Sequence, residues 1–209
     1  MILRRAAKLT IAVLFVSAVG LSNAATAASK ARSADPVNFI QNLADQAIQV
    51  LSSRDGTLQE REDKFRTILR DDFAMERIGR FVVGSYWRKM NAEQKKTYQK
   101  LFSEWVLKTY STRLGGYSGE QFTVLRTAPA GKRDTIVYTR IEKPGGNGFN
   151  CNWRVRKDGD RYKIIDIYVE GVSMAITQRS EFDSVLRRKG VDGLIGLIRD
   201  RLIKLSAAS

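Results

Sequence analysis

The chain has no histidine, one cysteine (Cys151) and three prolines among its 209 residues. A hydroxyl or thiol nucleophile of the Ser–His or Cys–His kind therefore has no base to activate it. Zinc or iron sites of the usual kind would have to be built from carboxylates alone, which suit those metals poorly. A lone thiol excludes an intramolecular disulfide framework and a multi-cysteine metal site. So few prolines exclude a long proline-rich segment. No Gly-x-Ser-x-Gly elbow is present, and no phosphate-cradling glycine loop: "PGGNG" (144–148) falls between two strand-like segments, where a hairpin accounts for it. There is no run of five or more like charges, so charge is spread over faces and not gathered in a tail. Beyond the first residues, no apolar run approaches the roughly 20 residues a membrane span needs.

What is present begins with an export signal. Arg4, Arg5 and Lys8 precede a short apolar run, Leu9 to Leu21, and small residues follow in "SNAATAAS". The pattern predicts a secretory signal peptide over 1–27, cleaved after Ala27, with Ser22-Asn23-Ala24 as a competing site. A single domain over 28–209 is then expected. Cleavage removes three bases and no acid, leaving +11 of the formal charge of +14. Outside the cytoplasm the anionic partners of such a surface are lipid headgroups, wall polymers or an acidic protein face, and not nucleic acid.

The mature chain reads as helices, then strands, then helices. Asp35-Pro36 caps a helix carrying Ile40, Leu43, Ala44, Ala47, Ile48 and Leu51. Thr57-Leu58-Gln59-Glu60 has capping-box form, as has Asn91-Ala92-Glu93-Gln94. Phe73 to about Tyr86 reads as one further helix. The helix after Asn91, with Tyr98, Leu101, Phe102, Trp105, Val106, Thr109 and Tyr110, should stop near Gly115-Gly116. The period then changes. Residues 120–128, 135–143, 149–157 and 161–170 read as four antiparallel strands joined by short turns, with one wet face. Two helices follow, one over 180–189 ending at Gly190, the other from near Asp192. Segregated elements of this kind predict an α+β fold: a curved four-stranded antiparallel sheet wrapped by six to seven helices, able to leave an apolar pocket between them.

Candidate chemistry is sparse. Cys151 alternates with Phe149 and Trp153, as a buried, inert thiol would. Asp166 and Glu170 form a candidate carboxylate pair, or each pairs with an arginine or caps a turn. Asp71-Asp72 either ends a helix or contributes to a divalent-ion site. Ser173 reads as a turn or helix-cap serine. No catalytic residue, metal ligand or cofactor is assigned, and the protein is expected not to be an enzyme.

The segment "VVGSYWRKMNAEQKKTYQKLFSEWVLKTYSTRLGGYSGE" resembles the signature of the MlaC family of periplasmic lipid carriers, also called toluene-tolerance auxiliary proteins. Gly84, Tyr86, Trp87, Arg88, Glu93, Gln94, Phe102, Tyr110, Tyr117 and Gly119 occupy its places. A second block, "YKIIDIYVEGVSMAITQRSEF", agrees through Asp166, Glu170, Gly171, Val172, Ser173, Arg179 and Phe182. Val83 stands where leucine is commoner and Tyr98 where phenylalanine is. "SMAITQRSEF" and "NWRVR" are similar to the branch associated with hopanoid transport, which leaves the lipid open between phospholipid and hopanoid. The resemblance implies a periplasmic carrier with phospholipid tails inside and headgroup outside, monomeric, binding no nucleic acid. It further implies a shuttle between an outer-membrane lipoprotein complex and an inner-membrane ABC transporter bearing an MCE-domain subunit. The lipid is cargo, not a cofactor.

A carrier of this kind must cover about thirty methylenes, each costing ~0.8 kcal/mol in water. The sequence offers Phe81, Val82, Trp87, Phe102, Trp105 and Tyr110 from helices, and Phe149, Trp153, Val155, Ile165, Ile167 and Val169 from strands, as lipid-binding residues. The same residues would also fill an ordinary core, because a pocket wall and a core face share one periodicity; the resemblance favours the pocket. Arg88 and Arg179 are candidates for headgroup or partner contact, with solvated surface as the alternative. An envelope adaptor without a buried ligand is the remaining reading.

Overall fold

The computed structural model describes residues 35–53, 55–111 and 119–207. The expected signal peptide, the Gly115-Gly116 helix stop and Tyr117 lie outside them. Among the described residues are six helices and one five-stranded sheet.

The helical half follows its capping signals. Asp35 accepts from the Val37 N–H at 3.2 Å and Pro36 opens helix α1, Pro36–Ser52. Thr57 and Glu60 form a reciprocal box (3.2 Å and 2.8 Å) that starts α2, Leu58–Asp72. Phe73 does not continue into the next helix as its sequence suggested. It turns extended, bridges Ile164, and the Ala74 N–H donates to the Ile164 carbonyl at 2.9 Å. A sheet contact thus ends α2, and α3 spans Met75–Val83. Gly84 then takes φ +56°, ψ −128°, a conformation open to glycine. A Cβ there would also lie 2.9 Å from a terminal nitrogen of Arg179. The short α4, Tyr86–Lys89, leads to a second reciprocal box: the Gln94 N–H donates to Asn91 at 2.8 Å and the Asn91 N–H to Gln94 at 3.1 Å. Helix α5, Ala92–Ser111, follows.

The sheet is an antiparallel meander in sequence order: β1 Gln121–Ala130, β2 Asp134–Glu142, β3 Phe149–Asp158, β4 Arg161–Val169 and β5 Val172–Ser173. The fifth strand is one more than the sequence suggested. It has two residues, too few for a periodicity to show, and its pairs are Tyr168↔Ser173 and Val169↔Val172. The register shifts between Val124 and Arg126 on β1 and beside Ile165 on β4, irregularities that bend strands and increase their twist. Helix α6, Met174–Ala207, begins directly after β5 and is broken at Gly190 (φ 65°, ψ −169°). The break falls where the sequence placed it. The start is six residues earlier than expected.

Two apolar clusters hold these layers. The first is helical: Val82, Val83, Met90, Tyr98, Phe102, Phe182, Leu186, Leu194, Ile195 and Ile198. Tyr98 is at its centre, stacked on Phe102 (5.7 Å) and edge-on to Phe182 (6.5 Å), with its hydroxyl donating to the Gly79 carbonyl at 2.9 Å. Burial pushes the Tyr98 phenol up from its ordinary value. The second cluster packs Phe39, Ile40 and Leu43 of α1 onto Val137, Val155 and Ile164 of the sheet.

On the opposite sheet face, Asp134 lies buried between two arginines. Arg154 donates through Nε (2.9 Å) and Nη2 (2.6 Å), and Arg156 through Nη2 (2.8 Å) and Nε. The hydrogen bond from Arg156, then those from Arg154, outweigh desolvation and hold the Asp134 carboxyl below its ordinary 3.8. A depressed folded value gives stability that is complete above the unfolded value and lost as pH falls through the folded one. Asp134→Asn should therefore unfold at lower urea than the wild type at pH 7, and the two midpoints should converge as pH falls through the depressed folded value. A gap that persists unchanged at low pH would show that the carboxylate charge is not what the arginines hold.

Candidate functional site

Between the two clusters is a cavity of about 460 Å³. Small-molecule sites run from about 300 to 1,000 Å³, and an apolar cavity of ~150 Å³ already holds benzene. Its walls come from every layer. Leu43 and Ala47 of α1, Phe65, Ile68 and Leu69 of α2, and Phe73 close one side. Met75, Ile78 and Val82 of α3 and Phe102, Trp105, Val106, Thr109 and Tyr110 of α5 form the other. Trp153 of β3 and Ile165, Asp166 and Ile167 of β4 make the floor, and Met174, Ala175, Gln178 and Glu181 of α6 complete it.

On β4 the register shift inserts Ile165 as an extra residue between two ladder pairs, Val155↔Ile164 and Arg154↔Asp166. Cross-strand partners point to one side. Ile164 thus goes with Val155 into the α1 core, Ile167 goes with Trp153, and Ile165 enters neither cluster and faces the cavity.

The buried polar groups at the wall are committed. Asp166 accepts from the Ile167 N–H (2.8 Å), the Ala175 N–H (3.0 Å) and the Ser173 hydroxyl (2.6 Å). Ser173 in turn accepts from the Ile176 N–H at 3.0 Å, so it is the helix-cap serine its sequence suggested. The Trp153 indole donates to the Thr139 hydroxyl (3.1 Å), which donates to the Cys151 carbonyl. Glu170 stands apart from Asp166: it has φ 48°, its N–H donates to the Asn150 carbonyl, and its carboxylate accepts from the Asn150 N–H. Both carboxylates are thus used to join backbone segments. Cys151 is buried, and burial pushes its thiol up to about 12, so little thiolate exists at neutral pH. Among the described residues no three histidine, cysteine or carboxylate side chains gather as metal ligands, and no helix is long and apolar enough to cross a membrane.

Of the sequence-predicted lipid-binding residues, the structure brings Val82, Phe102, Trp105, Tyr110, Trp153, Ile165 and Ile167 to the cavity. It places the other five elsewhere. Val155 is fully buried in the α1–sheet cluster. Val169 pairs with Cys151 toward the end of β4, and Phe149 begins β3 under the Lys143 ammonium. Trp87 packs on Tyr98 (6.4 Å) with Arg80 and Lys95 over its ring, a bracket between α4 and α5. Phe81 is 42% exposed, with the Arg179 guanidinium 5.1 Å from its ring centre. Arg88 is exposed on α4. Sequence reasoning missed the α6 contribution: Met174, Ala175 and Gln178 because it began that helix later, and Glu181, inside the expected helix, because only apolar residues were sought as lining.

The exposed residues of the wall are Tyr110 of α5 and Glu181 of α6, which puts the mouth between these two helices. Tyr110 is 41% exposed there. Gln178 donates to Glu181 at 3.2 Å, Arg201 approaches the same carboxylate oxygen at 4.0 Å, and the Arg201 guanidinium lies 5.6 Å from the Trp105 ring. A second hollow, about 410 Å³ between α1 and α2, mixes Val50 and Ile68 with Gln46, Gln49, Arg61 and Lys64 in its wall.

Residues 41–200 match the family described as MlaC protein. The chain is 25% identical, over 169 residues, to the intermembrane phospholipid transport system binding protein MlaC of Haemophilus influenzae, covering 77% of this chain and 78% of that one. The fold is similar to a solved structure of the phospholipid-binding protein from Ralstonia solanacearum in complex with a phospholipid. The TM-score is 0.72 at 22% identity, covering 83% of this chain and 99% of that chain. With the match running through the helices and sheet that enclose the cavity, the chain belongs to the MlaC family.

Proposed function

We propose that this protein is a lipid carrier that takes phospholipid acyl chains into the cavity between sheet and helices and shuttles them between the outer and inner membranes. The observation that carries this reading is the cavity itself: space for hydrocarbon, bordered mainly by aliphatic and aromatic side chains, with its buried carboxylate Asp166 already satisfied. Covering ~0.8 kcal/mol per methylene is what makes transfer through water possible. The names of the Haemophilus influenzae and Ralstonia solanacearum proteins, which concern phospholipid binding, support the same cargo. In this reading the carrier is a periplasmic monomer, exported by the signal peptide. It collects from an outer-membrane lipoprotein complex and delivers to an ABC transporter with an MCE-domain subunit. Chain-lining contacts fall to the cavity residues named above, and Arg88 and Arg179, on the outside beside Trp87 and Phe81, serve partner contact.

The test is organic extraction of the purified protein followed by mass spectrometry. A phospholipid recovered in proportion to protein is expected. A hopanoid in its place would keep the carrier role and change the cargo. A protein that stays empty even after incubation with lipid vesicles would overturn the reading.

A further inference from the structure

The chain carries a formal charge of +14, yet the cavity lining includes no lysine or arginine and two acids. One, Asp166, is spent on Ser173 and on two backbone N–H groups. The other, Glu181, is at the mouth with its side chain 53% exposed. Its Oε2 takes a neutral hydrogen bond from Gln178 (3.2 Å) and the far edge of an ion pair with Arg201 (4.0 Å); its Oε1 has no partner among the described residues. A carboxylate offers about four acceptor positions, so most of Glu181 remains available. Arg201 is itself only loosely held, over the Trp105 ring that walls the cavity.

We propose that Glu181 and Arg201 form a headgroup-reading pair that selects zwitterionic aminophospholipids over anionic ones. The inference rests on the carrier reading, in which tails fill the apolar cavity and the polar end remains in water at this mouth. There a phosphate diester meets the planar fork of Arg201, whose donors match its oxygens. A primary ammonium such as ethanolamine has three N–H donors for the carboxylate of Glu181. A glycerol headgroup offers hydroxyls but no positive charge, and its net negative charge stands beside a carboxylate that Arg201 approaches only to 4.0 Å. At a half-exposed site such a difference is worth a factor of about three to ten.

The test incubates the full chain with vesicles of phosphatidylethanolamine and phosphatidylglycerol in equal amounts. The protein is re-isolated and its bound lipid quantified by mass spectrometry. Wild-type protein should carry ethanolamine lipid enriched about threefold to tenfold over the vesicle ratio. Glu181→Gln should bring that ratio close to one, and Glu181→Asp should keep most of the enrichment. No enrichment in the wild type, or full enrichment in Glu181→Gln, overturns the proposal while leaving the carrier reading intact. A wild-type protein that takes up neither lipid overturns the carrier reading itself, and this inference with it.

Discussion

Ile165→Asp is expected to yield a folded protein that no longer retains lipid. Ile165 is the residue inserted at the β4 register shift; it lines the cavity, and replacing it removes no member of either apolar cluster. In the lipid-free protein the new carboxylate faces a space that opens to solvent near Tyr110 and Glu181, and it stays hydrated. Loading changes that. An acyl chain can occupy the cavity only by stripping water from the charge, an effective cost of several kcal/mol per ion. At 1.4 kcal/mol per factor of ten, retention should fall a hundredfold or more. The measurement is lipid phosphorus per protein after purification, alongside the urea midpoint as a control for folding. Ile165→Leu should behave as wild type in both. Wild-type lipid content in Ile165→Asp with an unchanged midpoint would place the acyl chains somewhere other than this cavity.

Legibility in the sequence followed the range of the interactions. Where a helix start depends on its own first four residues, the sequence shows it. The Asp35-Pro36 cap and the Thr57–Glu60 and Asn91–Gln94 boxes all form as read. Where a boundary depends on a partner far along the chain, the sequence hides it. Phe73, read as the first residue of a further helix, instead bridges Ile164, and that helix starts two residues later, at Met75. Helix α6 begins at Met174 because Asp166, on the neighbouring strand, supports Ser173; nothing in the local run from Met174 announces that support. The cavity wall was half legible for the same reason. Val155 and Trp153 share one alternation, yet Val155 is sealed in the α1 core while Trp153, packed against that core, also reaches the cavity. Phe81 and Val82 are adjacent on one helix. Val82 turns inward at 1% exposure while Phe81 takes Arg179 on its outer face, a difference of rotation that a list of apolar residues does not contain.

The dependence of α6 on Asp166 sets the largest expected loss of stability. Asp166 is 8% exposed and holds three donors: the Ile167 and Ala175 N–H groups and the Ser173 hydroxyl. Asp166→Ala removes all the acceptors at once and leaves donors buried without partners, at about 1–3 kcal/mol each. It also removes a negative charge from the first turn of α6, where the helix dipole favours one. Allowing for relaxation of the serine hydroxyl, the total should be about 3–5 kcal/mol, a large share of the 5–15 kcal/mol by which domains are stable. Asp166→Asn separates shape from charge. Its amide oxygen can still accept from the two N–H groups and its nitrogen can donate to Ser173, so it should cost only about 1 kcal/mol. Urea midpoints of the three proteins read this directly. The consequence reaches the site because the first turns of α6 carry Met174, Ala175, Gln178 and Glu181, one wall of the cavity and part of its mouth. Asp166→Ala should therefore lose lipid in step with its loss of stability, whereas Ile165→Asp loses lipid alone. Should Asp166→Ala prove as stable as Asp166→Asn, the junction of β4 and α6 is held by packing, and the carboxylate is not its anchor.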